Sequence, residues 1–143
     1  MRDNGESGVD QVTAMPRPRN DGTALQRAVR SALARDVACA DVDYKVPTAL
    51  AMRAARLASV VRRLDASYAR EATQSPKLRR VPTSSFLHAT LELQSCFQLS
   101  ARQHGGTVEI AECRAPIAQY RERRRDLQAV SALLHRPPRP GTQ

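Results

Sequence analysis

The sequence predicts an all-α protein, a bundle of four main helices with room for one short extra helix, and three observations predict it. Aromatic residues make up only 3 % of the chain and Trp is absent, so the core must come from Leu, Val, Ala, two Phe and Tyr. Helix bundles are built that way, whereas sandwiches and barrels lean on β-branched and aromatic residues. Apolar positions recur at three- and four-residue steps over long stretches. Prolines and a Gly-Gly pair cut those stretches into segments of helical length. The chain has 143 residues, one domain's worth. Without its tails roughly 115 remain, enough to bury a real core.

Residues 1–20 mix Gly, Pro and charge without period, which predicts a disordered N-terminal tail. Asn20, Asp21 or Thr23 then caps a first helix. Its apolar residues Leu25, Ala28, Val29, Ala32 and Leu33 follow the i, i+3, i+4, i+7, i+8 template, with Arg27, Arg30 and Arg35 opposite. Asp41 and Asp43 would sit badly at the negative end of this helix, so it ends near Ala40 and ADVDYK connects it to Pro47.

The central helix spans Val46 to Glu71. Leu50, Ala54, Leu57, Val61, Leu64 and Tyr68 form one seam facing the partner helices. Away from the seam Arg56, Arg63 and Arg70 recur every seven residues, flanked by Arg53 and Arg62, which predicts a cationic band on a solvent-facing flank. Residues 73–82 follow as a loop in which two prolines bracket Lys77, Arg79 and Arg80.

Thr83, Ser84 or Ser85 caps a third helix, running from about Ser84 to His104 and stopped by Gly105 and Gly106. Between Pro82 and Ala101 its one Asp, Glu, Lys or Arg is Glu92. Phe86, Ala89, Leu93, Cys96 and Phe97 make one apolar group, and Leu87, Leu91 and Leu99 a second, which is the expected subunit interface. TVEIAEC, from Thr107, fits a short strand by alternation or one to two turns of helix, and helix suits the rest of the chain. The last helix, residues 115–135, starts around Pro116 and uses Ile117, Tyr120, Leu127, Val130, Leu133 and Leu134. Arg124 interrupts its seam, so a splayed or wet helix end is expected there. The helical domain thus covers residues 21–136, and residues 137–143 form a Pro-rich, disordered tail.

Function classes narrow by elimination. Cys39, Cys96 and Cys113 are odd in number and widely spaced, which argues against a disulfide framework and for a reducing compartment, with Cys39 and Cys96 as small buried side chains. No signal peptide and no run of about eighteen apolar residues is present, so a soluble cytoplasmic protein with no membrane partner is expected. The His and Cys spacings match no metal knuckle, and no nucleophile elbow, Walker loop or dinucleotide fingerprint occurs. The expectation is a non-enzymatic protein with no metal, cofactor or catalytic residue.

Charge is what rises above background. The net charge is +9, and residues 44–102 carry 10 basic against 3 acidic side chains. Between residues 46 and 82, eight cations face only Asp65 and Glu71. Uncompensated like charge costs stability, so a retained surplus points to a polyanionic partner. The candidate contacts are Arg53, Arg56, Arg62, Arg63, Arg70, Lys77, Arg79, Arg80, Arg121 and Arg125. Few aromatics and no helix-turn-helix spacing leave backbone phosphate of RNA or DNA, read independently of sequence, as the target.

In its size, its helix content, the band Arg53, Arg56, Arg62, Arg63 and Arg70 and the loop Lys77, Arg79 and Arg80, the chain resembles the small helical subunits of CRISPR effector complexes over residues 21–136. The resemblance implies an antiviral-defence ribonucleoprotein in which several copies lie along other protein subunits and line a groove for a strand. More loosely it resembles the basic four-helix accessory proteins of reverse transcriptases, which form rings on RNA or DNA. Both imply self-association. The alternative is a protein adaptor or secretion-type chaperone that docks an acidic partner on the apolar face of the third helix.

Overall fold

The computed structural model describes residues 17–70 and 80–134, with side chains described over 24–70 and 82–131. Four α-helices follow one another: α1 Arg17–Val37, α2 Pro47–Arg70, α3 Arg80–Gln103 and α4 Arg114–Leu134. Single 3-10 turns, Ala40–Val42 and Ile110–Cys113, precede α2 and α4. Among the described residues there is no strand. Each helix carries a proline in its first turn: Pro18 second, Pro47 first, Pro82 and Pro116 third. First-turn N–H groups have no partner inside the helix, so proline sets φ there at no cost in hydrogen bonds.

These starts correct several predicted boundaries. α1 begins at Arg17, before the expected caps Asn20, Asp21 and Thr23, and ends at Val37 rather than Ala40. Arg80 opens α3 and so is not a loop residue. TVEIAEC holds one short 3-10 turn. Gly105 and Gly106 do end the α3 segment, at φ +68° and +102°, with the Gly106 N–H donating to the Ala101 carbonyl at 2.7 Å. Of the expected tail over residues 1–20, 17–20 belong to α1; residues 1–16, the expected tail 137–143 and the loop residues Lys77 and Arg79 lie outside the described residues.

α1 packs on α2, α2 on α3, α3 on α4 and α4 back on α1, with α1 and α3 across a diagonal. Neighbours are antiparallel: Gln26 lies by Tyr68 and Asp36 by Arg53, while on α3 and α4 Phe86 meets Tyr120 and Cys96 meets Cys113. The α2 seam is buried from Leu50 to Tyr68, closed by Val29 and Leu33 of α1, Phe86, Leu93 and Phe97 of α3, and Ile117, Tyr120 and Leu127 of α4. The Phe86 and Tyr120 rings sit 5.4 Å apart at 46°. Thr83 donates to Asp65 at 2.7 Å and fastens α3 to α2.

Two expectations about side chains are overturned. Cys96 and Cys113 form a disulfide with a Cα–Cα distance of 6.0 Å, although wide spacing argued against one. The turn at Gly105 and Gly106 folds the chain back and brings together residues 17 apart. Leu87 is half-buried against the core, which leaves Leu91 and Leu99 as the exposed large apolar residues among the described side chains of α3. No helix among the described residues is long and apolar enough to cross a membrane.

Candidate functional site

Behind the basic surface lies a charge cluster that decides which arginines are free. Asp36, at the end of α1, falls on the same face as Val29 and Leu33 and is therefore carried into the core. Asp43, just after the 3-10 turn, is fully buried, and Arg124 on α4 is nearly so. Arg53 and Arg124 each span both carboxylates. Arg53 donates one Nη to Asp36 and the other to Asp43 at 3.0 Å. Arg124 donates to Asp36 at 2.8 Å and to Asp43 at 3.0 Å. Arg121 completes the set, donating to Asp43 at 2.7 Å and to the Ala40 carbonyl at 2.9 Å. The Tyr120 hydroxyl donates to Asp36 at 2.7 Å.

Two carboxylates thus meet three guanidiniums and a phenol. Burial by itself would lower the pKa of Arg124, but the hydrogen bond and charge of Asp36, with the charge of Asp43, more than offset it, and the pKa is raised. Arg53 follows the same logic, burial being outweighed by its bonds to Asp43 and Asp36. Burial, then the adjacent Asp36 carboxylate, push the Tyr120 phenol up and keep it a donor.

The cluster corrects two expectations. Arg124 does not splay α4; it is neutralised where it crosses the seam. Arg53 and Arg121, expected on a nucleic acid, are engaged inside the fold. Asp36 and Asp43 are a buried pair that shares its cations. A signal was present: Asp36 and Arg124 both stand at seam positions, on the first and last helices, which a closed four-helix ring makes neighbours.

Outside the cluster, Arg56, Arg62, Arg63 and Arg70 on α2 and Arg27, Arg30 and Arg35 on α1 are exposed, and none has a carboxylate partner among the described residues. Over residues 24–70 the solvent-facing acids are exposed Asp41 and half-buried Asp65, the latter hydrogen-bonded by Thr83. The other half of the molecule is balanced. There Arg102, Arg114, Arg123 and Arg125 face Glu92, Glu109, Glu112, Glu122 and Asp126. Glu112 is paired with His104 at 2.8 Å, and hydrogen bonds from His104 and Ser100 hold its carboxyl below the usual range.

Two clefts run along the α1–α2 seam. One, of about 590 Å³, is lined by Ala24, Leu25, Ala28 and Ala66 with Arg63 and Arg70. The other, of about 400 Å³ near the turn, sets Arg35 and Arg56 around Ala32, Ala38 and Leu57. Alanine and leucine side chains line both clefts, with exposed guanidiniums beside them and, in the smaller cleft, the engaged pair Asp36 and Arg53. Arg125 lies apart from the seam, on α4, and nothing is described of the Arg80 side chain. Among the described residues no three His, Cys, Asp or Glu converge as metal ligands.

Two predictions follow from the cluster. Arg124→Leu and Asp36→Asn each strand buried charge and should cost about 3–5 kcal/mol in urea denaturation, while the double variant costs about 1–3 kcal/mol less than their sum. Strict additivity would mean that the two groups do not act as a pair. The raised pKa of Tyr120 also sets a sign: its neutral bond to Asp36 contributes fully below about pH 10 and is lost as pH climbs past the free phenol's value. Tyr120→Phe should therefore lower Tm at pH 8 and flatten the further fall in Tm above about pH 10; parallel alkaline curves would refute the assignment.

Comparison with protein-family models, with curated proteins and with solved structures returns no match for this chain.

Proposed function

We propose that this protein is a non-enzymatic, helical nucleic-acid-binding subunit of a larger assembly, holding backbone phosphates without reading sequence. The observation that carries the reading is the partition of the arginines: three are locked onto Asp36 and Asp43, while seven on α1 and α2 face solvent without a carboxylate partner among the described residues. A surplus of one sign on one half of a molecule attracts a partner of the other sign, and phosphates suit guanidinium geometry. Arg35, Arg56, Arg63 and Arg70 on the seam are the central contacts, with Arg62 beside them.

Assembly is read from α3. Leu91 and Leu99 are 57 % and 51 % exposed and lie four residues to either side of Ser95. An antiparallel second copy crossing at Ser95 would set each Leu91 against the partner's Leu99, with a small residue at the closest approach. α3 is diagonal to α1, so such a contact leaves the α1–α2 seam open.

Binding to DNA or RNA should weaken steeply with salt, with a log–log slope of about −4 to −6. Changing Arg56, Arg63 and Arg70 together to Glu should abolish binding with helicity intact, whereas Arg102→Glu, on the balanced half, should change affinity by no more than about twofold. A flat salt plot, or equal losses in both variants, would remove the proposal. For assembly, Leu91→Ser with Leu99→Ser should reduce the native mass to that of one chain; an unchanged mass would place the contact elsewhere.

A further inference from the structure

We infer that the arginine seam takes double-stranded nucleic acid, gripped by its phosphates, in preference to single strands; this rests on the phosphate-binding reading above. The first observation is the fate of every Phe and Tyr ring in the chain. There are five, two Phe and three Tyr, and no Trp. Phe86, Phe97, Tyr68 and Tyr120 are buried. Tyr44 is partly accessible, but Arg121 and Arg114 stack over its ring at 5.4 and 5.8 Å. Single-strand binders gain about 1–3 kcal/mol per base by stacking bases on exposed rings. No Phe or Tyr ring is open for that, and the exposed His88 imidazole stands on α3, outside the α1–α2 seam and paired with Glu92.

What remains is charge, and charge favours the denser polyanion. A B-form duplex carries one phosphate per ~1.7 Å of axis, twice the linear density of either strand taken alone. The seam also has the dimensions of a duplex surface. Arg56, Arg63 and Arg70 repeat every seven residues on one helix, which spaces them by about 10.5 Å and spans about 21 Å. α1 adds Arg35 at the same seam, lining the smaller cleft with Arg56. Cations from two neighbouring helices on one seam can meet phosphates of two strands, where a single file would follow one. Both sets stand on packed helices, so their backbone needs no ordering on contact.

Competition binding at low salt tests the inference, with a DNA duplex, an RNA duplex and unstructured single strands of each, all of equal length. Each duplex should compete at least about tenfold better than its single strand. Tyr44→Leu should leave every affinity within about twofold, because its ring is not a base platform. Single strands binding as well as duplexes, or a tenfold loss in Tyr44→Leu confined to single strands, would overturn the duplex preference and leave the phosphate-binding reading intact. Failure of all four nucleic acids to bind would overturn both.

Discussion

Two carboxylates taken out of water govern this fold. Asp36 and Asp43 would each cost several kcal/mol to bury alone, and that cost is met only because Arg53, Arg121 and Arg124 converge on them from α2 and α4. Such a cluster adds little net stability over an apolar core of the same shape, but it penalises every alternative packing. If α4 slid by one turn, Gln128 or Tyr120 would stand where Arg124 does, and two buried anions would lose a shared cation. Leucine and alanine seams are forgiving of such slips, because one apolar residue substitutes for another. The cluster thus supplies register in a bundle whose α2 seam alone contains little to distinguish one turn from the next.

The same cluster sorts the cations. Arg53 and Arg56 are three residues apart on α2, yet one faces Asp36 and Asp43 and the other faces solvent. On α4, Arg121 and Arg124 turn inward and Arg125 outward. Because the inward set is matched almost one for one by acid, the surface keeps the surplus that the composition carries. That surplus falls on α1 and α2, whereas α3, α4 and their connection hold acids and bases in near-equal number.

Much of this was legible in the residues. The α2 seam from Leu50 to Tyr68 is buried as its four- and three-residue steps predict, and the Gly-Gly stop after α3 is where it was placed. Helix starts were less legible, since capping side chains draw the eye to Asn20 or Ser84 when Pro18 and Pro82 already sit inside the first turn. The candidate band was read as one group because helical periodicity assigns a face and not a partner. Arg53 lies only a step round the helix from Arg56, and which of them meets a carboxylate depends on residues 10 and 17 positions away. Cys96 and Cys113 are the same kind of case: their pairing is a property of the turn between two helices, not of their spacing.

A molecule that keeps a one-sided positive field must limit what the field costs it when alone. The spacing of the outward row does this. Steps of about 10.5 Å along α2 are close to the Debye length of about 10 Å at 0.1 M salt, so Arg56, Arg63 and Arg70 scarcely repel one another in solution. On the proposed polyanion the balance would change, because each guanidinium would meet a phosphate and displace the counterion condensed there. Repulsion within the row is damped by the salt around the free protein, while each phosphate contact would gain from counterion release, which added salt opposes. Three arginines at heptad spacing on a packed helix would therefore suit both states of the proposed binder, tolerable when empty and additive when filled.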